Sequence, residues 1–188
     1  MCWVCGELVG DCSVPIHFKN DPRPTTAFVA LGSNLGDPSV QVRRAIERLR
    51  EAAPDGFVSS SLWDSAPIDC PPGSPRFVNA VVRMSGSNWG TPEAFLRHLQ
   101  QWEKEFGRRP KSVMNEARSL DLDLIAWGDE VRNGPDLVLP HPRAHLRRFV
   151  LEPLREIAPD LMLPGTGRSV SQLLAELPAD PDLRRIGP

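Results

Sequence analysis

The stretch Arg118-Ser-Leu-Asp-Leu-Asp-Leu-Ile-Ala-Trp-Gly128 decides how this chain is read. Leu120 to Trp127 alternates, is rich in large apolar residues, and ends at Gly128-Asp129 as at a turn, which predicts a β-strand. Successive side chains on a strand point to opposite faces, so Asp121 and Asp123 share one face while Leu122 and Leu124 share the other. Aspartate forms strands poorly, and two carboxylates side by side on one face repel each other. A cation between them removes that conflict. Mg²⁺ is the natural candidate, because it takes one or two carboxylates and leaves its other positions to water and substrate phosphates. The plainer alternative is a solvent-facing edge strand kept soluble by its Asp residues. The apolar flanks favour a central strand instead.

At 188 residues the chain is long enough for one well-buried core. A single domain over residues 25–188 is expected, preceded by a loose, dispensable extension at residues 1–24. The formal net charge of −2 argues against a general nucleic-acid binder. Basic residues are nevertheless clustered, with Lys104, Arg108, Arg109, Lys111 and Arg118 in one stretch and Arg143, His145, Arg147 and Arg148 in another. Local positive charge on a near-neutral protein suits a small polyanion such as a nucleotide. No apolar run approaches the length of a membrane span, so a soluble protein with no membrane partner is expected. Three of the four cysteines, Cys2, Cys5 and Cys12, lie near the start, without the basic start and long apolar core of a secretory signal. A reducing, cytoplasmic setting follows. With His17 these cysteines could be assembled into a zinc site, but their spacing matches no common pattern.

Working outward, Ala27 to Leu31 predicts a short strand closed by Gly32-Ser-Asn-Leu-Gly-Asp37. That loop lacks the Gly-Lys-Ser/Thr ending of a Walker P-loop. Asp37 and Pro38 start a helix whose apolar positions are Val42, Ala45, Ile46, Leu49 and Ala53. Phe57 to Trp63 reads as a second strand, and Ser65 to Pro75 as a stiff proline-rich loop. On the strand from Phe77 to Met84, Val78, Ala80, Val82 and Met84 form an apolar face suited to helix packing. Its other face mixes Phe77, Asn79 and Val81, which suits a ligand. Thr91 and Pro92 open the second helix, with Phe95, Leu99, Trp102 and Phe106 as its buried stripe. Arg108 to Ala117 reads as a mobile loop, Asp136 to His141 as a short strand and turn, and Arg147 to Ile157 as a helix. Ser169 to Leu177 is a last short helix, and the tail carries no signal. The order strand–helix–strand–strand–helix–strand predicts an α+β protein, a ferredoxin-like βαββαβ sandwich with appended C-terminal helices.

Two Mg²⁺-competent carboxylates, a basic loop before them, a His/Arg segment after them and a flat organic pocket are the kit of phosphoryl transfer. That chemistry needs metals to bridge phosphate oxygens, cations to stabilise spreading charge and a pocket to hold the acceptor in line. A two-metal nucleotidyltransferase would also use paired Asp residues on a strand, and a non-catalytic binding module could keep such a pocket without turnover.

The chain resembles the 6-hydroxymethyl-7,8-dihydropterin pyrophosphokinases, folate-pathway enzymes that move a pyrophosphoryl group from ATP to a pterin alcohol. The matching pieces are Ala30-Leu-Gly-Ser-Asn-Leu35, Phe77-Val-Asn-Ala80, Arg118-x-Leu-Asp-Leu-Asp-Leu124, Leu139-Pro-His141 and Arg147-Arg-Phe-Val-Leu151, in the family's order over roughly residues 26–165. The resemblance implies that Asp121 and Asp123 ligate two Mg²⁺ ions and that ATP is the co-substrate. It implies a pterin ring between Phe77 and Phe149, hydrogen-bonded by Asn79 and read at its edge by the backbone of Ser65, Ala66 and Ile68. Gln100, Glu103 and Leu124 fall on the ATP side, while Arg108, Arg118, His141 and Arg147 meet the phosphates, Arg108 and Arg118 serving catalysis with the Asp pair. Small-molecule substrates are then the only partners expected, and a monomer is the default. The chain departs from the family in three places. Asn115-Glu-Ala-Arg118 stands where a Trp-Gly-Pro-Arg sequence is often found. Asp136 replaces a common Arg before the Pro-His turn, and Pro142 replaces an aromatic after it.

Overall fold

A computed structural model of the chain describes residues 25–53, 56–86, 89–108 and 117–187. The expectations for the N-terminal extension and its cysteines, and for residues 109–116 of the basic loop, lie outside the described residues. The elements in order are β1 (Thr25–Ser33), α1 (Pro38–Ala52), β2 (Phe57–Ser59), β3 (Leu62–Ser65), β4 (Phe77–Gly86), α2 (Pro92–Glu105) and β5 (Asp121–Trp127). They continue with β6 (Arg132–Asn133), β7 (Val138–Leu139), α3 (Arg148–Ile157), β8 (Met162–Leu163), β9 (Arg168–Ser169), α4 (Val170–Glu176) and β10 (Arg184–Gly187). The main sheet is antiparallel, ordered β10-β3-β4-β1-β5, with β2 also paired to β4. Among the described residues this is a mixed α/β architecture built on an antiparallel sheet with four α-helices.

The helices begin where local chemistry starts them. The Asp37 side chain accepts from Val40 N, the Thr91 side chain accepts from Ala94 N, and each cap is followed by a proline in the first turn. Ser169 and Gln172 form a reciprocal capping box at α4. The sheet separates two apolar layers. On one side, Val42, Ala45, Ile46 and Leu49 of α1 and Phe95 and Leu99 of α2 pack on Ala27, Val29, Leu31, Val78, Ala80, Val82 and Met84. On the other, Val150, Leu151 and Leu154 of α3 and Leu173 and Leu174 of α4 pack on Phe28, Val81 and Ile125.

Four features differ from the sequence reading. First, Phe57 to Trp63 is two short strands, β2 and β3, broken at Ser60-Ser61. The break is satisfied locally: Ser60 N donates to Val81 O, and Ser60 Oγ accepts from Val81 N, both at 2.9 Å. Second, the tail forms β10 against β3, closing the sheet on that side. Third, of the expected α2 stripe, Trp102 and Phe106 are only partly buried, covered by the guanidinium groups of Arg48 and Arg44 at 4.8 and 5.6 Å from their ring centres. Glu103 takes the buried place instead, at 5 % exposure.

The fourth correction concerns β5, which is an edge strand and not a central one. Its apolar composition comes from being covered on both faces by helices, which a sequence pattern does not distinguish from a central position. Its outer edge is closed by other means. Leu122 N donates to the Glu103 carboxylate at 2.7 Å, and Ile125 O accepts from His141 N at 2.8 Å. A bulge between Leu124 and Ala126 puts Ile125 and Ala126 together on the α3 side.

Candidate active site

Strand register brings the two acidic and two acceptor-side positions onto one face. Gly32 lies opposite both Asn79 and Asp121, and Ala30 lies opposite both Val81 and Asp123. Residues directly opposite each other share a face, so Asp121, Gly32 and Asn79 form one row and Asp123, Ala30 and Val81 the next. Gly32 stands in the middle of the first row, where a Cβ would make ordinary van der Waals contact with Asn79 Oδ1 at 3.5 Å. Ser65 sits opposite Phe77 on the neighbouring strand, and Asn79 Nδ2 donates to Ser65 Oγ at 2.9 Å. That bond leaves the Asn79 carbonyl oxygen turned toward the cavity side of Gly32.

A cavity of about 730 Å³ opens over this face. Its walls include Ser65, Ala66, Ile68, Phe77, Asn79, Gln100, Glu103, Arg108, Arg118, Asp121, Asp123, His141, Arg147 and Phe149. These are the expected site residues with one exception. The side chain of Leu124 lies in the core on the α1/α2 side, 3 % exposed, because strand alternation turns it away from the Asp residues. Sequence reasoning missed several wall positions: Gly32, Cys70, Leu96, Lys104, Leu122 and Arg143. Lys104 and Arg143 stood in the basic clusters, so their charge was the available signal. Of the other clustered cations, Arg148 is spent on fold: it bonds the carbonyls of Leu177 and Pro178 and the carboxylate of Glu152.

Charge in the cavity is arranged around Asp121. Arg108 Nη1 lies 2.7 Å from its Oδ1, and Arg118 Nη1 lies 2.6 Å from its Oδ2. Arg108 also pairs with Glu103. Asp123 has a different environment. Burial, then the charge of Asp121, push its carboxyl up to about 6 against the pull of Arg147, Arg108 and Arg118. Burial likewise pushes Glu103 up to about 7, opposed by the Leu122 N–H and Arg108. His141 moves the other way, down to about 4, from burial and the cations Arg147 and Arg143, and its Nδ1 accepts from Arg143 N at 3.3 Å. The imidazole is therefore neutral at physiological pH. Arg147 stacks over Phe149, 5.4 Å from the ring centre.

The donor set fits a hard divalent cation shared with a substrate. Asp121 and Asp123 lie on one face with a repulsion that a cation would relieve, and Mg²⁺ needs no more than one or two carboxylates when phosphates complete its shell. Among the described residues no group of three or more His, Cys, Asp or Glu could hold a metal, so no all-protein cage competes with that arrangement.

A family model described as 7,8-dihydro-6-hydroxymethylpterin-pyrophosphokinase (HPPK) matches residues 28–159. The chain is 38% identical over 153 residues to the 2-amino-4-hydroxy-6-hydroxymethyldihydropteridine pyrophosphokinase of Haemophilus influenzae, covering 81% of this chain and 90% of that one. It is 38% identical over 152 residues to the protein of the same name from Pseudomonas aeruginosa, covering 80% and 91%. It is 35% identical over 173 residues to the folic acid synthesis protein fol1 of Pneumocystis carinii; this covers 92% of the chain but only 23% of that longer protein. Among solved structures, a crystal structure described as HPPK-DHPS in complex with substrates superposes with a TM-score of 0.62 at 12% identity, over 82% of this chain and 43% of that one. A Plasmodium falciparum HPPK-DHPS structure gives 0.60 at 12% identity, over 83% and 43%. Those structures speak to the fold alone.

Proposed function

The chain belongs to the 7,8-dihydro-6-hydroxymethylpterin-pyrophosphokinase family of enzymes, and from that premise we propose that it transfers pyrophosphate from ATP to 6-hydroxymethyl-7,8-dihydropterin. AMP and the pterin diphosphate are the products, and folate biosynthesis is the setting. The observation that carries this reading is one cavity in which two carboxylates and a polar-aromatic strand face meet several cations from the neighbouring loops. In this reading residues 25–188 act as one pyrophosphokinase domain and residues 1–24 as a dispensable extension. The strand order, with β2 and β3 on one side of β4 and β5 beyond β1, supports a ferredoxin-like core, to which α3 and α4 are appended. A cytoplasmic monomer acting on small molecules, without nucleic acid or membrane, is the corresponding cellular reading. Among the described residues no helix is long and apolar enough to cross a membrane.

The roles follow from position. Phe77 and Phe149 hold a flat heterocycle by stacking, and Asn79 supplies a carbonyl oxygen to its polar edge. Ser65, Ala66 and Ile68 border that edge. Gln100 and Glu103 face the nucleotide, while Arg108, Arg118, Arg147 and neutral His141 supply donors and positive charge to phosphate oxygens. Asp121 and Asp123 would hold two Mg²⁺ ions, whose chemistry when bound is to polarise phosphoryl oxygens and neutralise developing charge. With a cation on Asp121, Arg108 and Arg118 would have charge to offer to phosphate oxygens.

Incubation with ATP, Mg²⁺ and hydroxymethyl-dihydropterin, followed by chromatography of the nucleotides, tests the proposal. AMP with pterin diphosphate is the expected result. Released pyrophosphate would indicate a nucleotidyltransferase, and unchanged ATP a binding module.

The stacking role has its own test. Phe149→Ala is expected to weaken pterin binding by about 1–3 kcal/mol, by analogy with base–aromatic stacking, and ATP binding by less. Calorimetric titration of each ligand separates the two. Equal losses, or none for the pterin, would remove Phe149 from the ring site.

A further inference from the structure

Asn34 follows the last residue of β1 and is 2 % exposed. Its backbone N–H donates to the carbonyl of Arg118 at 3.2 Å, and the Arg118 N–H donates back to Asn34 Oδ1 at 2.8 Å. The other half of the same amide, Nδ2, donates to the carbonyl of Pro75 at 3.3 Å. A backbone N–H only donates and a carbonyl only accepts, so these partners fix which way the amide faces. Pro75 lies at the end of the proline-rich loop, two residues before Phe77, and the start of that loop borders the cavity at Ala66 and Ile68. Arg118 grips Asp121 and leads into β5. The same end of the loop is also held by the adjacent Arg76, which bonds Asp64 and the carbonyl of Asp182. One buried side chain thus ties the ring-binding side of the cavity to its phosphate-binding side.

We propose that Asn34 is a positioning residue that sets the separation of these two halves, holding the acceptor hydroxyl in register with the phosphate. The proposal rests on the pyrophosphokinase reading. Reacting groups must be held closely, since a misplacement of 1 Å can cost ~100-fold in rate. Asparagine suits the position because one planar end carries both an acceptor and a donor. Aspartate has the same shape but no donor when ionised. Asn34→Asp therefore keeps the Arg118 arm and sets two oxygens against each other in the Pro75 arm.

Steady-state kinetics and thermal melting of both Asn34→Asp and Asn34→Ala test the inference. In Asn34→Asp, KM for the pterin is expected to rise about tenfold, with KM for ATP within about twofold of the parent, from the loss of one buried hydrogen bond on the pterin side. Asn34→Ala cuts both arms, so both KM values are expected to rise. A residue with a merely structural role would lower the melting temperature while the two KM values moved together or stayed still. Either pattern in Asn34→Asp overturns the proposal. Should Asn34→Asp fail to fold, Asn34→Ala decides, since it buries no charge: kcat with both substrates saturating is expected to fall at least about tenfold from lost register, and an unchanged kcat there overturns the proposal. A parent protein that makes no AMP defeats the pyrophosphokinase reading and this inference with it. An active parent whose Asn34→Asp variant shows no split between substrates defeats only this inference.

Discussion

Asp123→Asn is expected to lose turnover by on the order of 10³-fold while folding at least as stably as the parent. The two halves of that expectation have separate causes. Asp123 is positioned by the pairing of β5 with β1, opposite Ala30, and its neighbours Leu122 and Leu124 bury on the other face. Replacing its carboxylate with an amide therefore leaves the core untouched. Burial and the charge of Asp121 hold its carboxyl up to about 6, above the usual aspartate value. A group raised in this way contributes stability below its unfolded pKa that is lost as pH rises through the folded value. At neutral pH the charge is a burden, and its removal is no loss to the apo fold. The same charge is what a divalent cation would need. Asp121→Asn should differ: it removes the negative charge that Arg108 and Arg118 both pair with, leaving Arg108 to Glu103, so activity and stability fall together. Calorimetry at pH 7 beside an AMP-release assay checks both variants. Near-parent turnover in Asp123→Asn would refute the metal role, and a sharp fall in its melting temperature would refute the account of its burial.

Much of this site was legible because strand alternation is a strict rule. Asp121 and Asp123 had to share a face, and Phe77, Asn79 and Val81 had to share one, whatever the strands did next. Their meeting on the same face depends on two registers, Gly32 with Asn79 and Gly32 with Asp121, and registers are long-range facts. The edge position of β5 was hidden for a related reason. Helices cover both its faces, so its composition matches that of a central strand. The β10 strand was hidden because Arg184, Arg185 and Ile186 are exposed and leave no apolar alternation to read. Alternation alone already put the side chain of Leu124 in the core, so a nucleotide contact from that position falls to its backbone. Glu103 could have been seen. Phe95, Leu99 and Glu103 fall at successive four-residue steps on α2, so a carboxylate stands in line with the buried stripe.

That carboxylate supports the second large expectation: Glu103→Ala should destabilise the protein by about 3 kcal/mol or more, whereas Glu103→Gln should cost much less. Glu103 is 5 % exposed and serves two groups at once. It accepts from Leu122 N at the open edge of β5, and it pairs with Arg108. Alanine leaves a buried N–H without an acceptor and Arg108 with Asp121 alone, while glutamine keeps an oxygen where the carboxylate oxygen stood. The pH dependence gives the sharper reading. Burial holds the Glu103 carboxyl up to about 7, from an ordinary value near 4.5. A raised folded pKa means that the folded state binds the proton more tightly than the unfolded chain. Its contribution is therefore fully present below pH 4.5 and lost as pH rises to about 7. The lost contribution is on the order of 3 kcal/mol. Glutamine cannot ionise, so the stability of the parent relative to Glu103→Gln should fall across that window and level off above it. Denaturant unfolding of both proteins from pH 4 to 8 measures the difference directly. A difference that stayed flat would show that Glu103 titrates in the fold as it does in the unfolded chain, Arg108 and Leu122 offsetting burial. A difference that rose with pH would show those partners overcoming burial outright. In either case the α2 carboxylate would be a fixed negative charge beside Asp121, and the pull on a cation at β5 would come from three carboxylates instead of two.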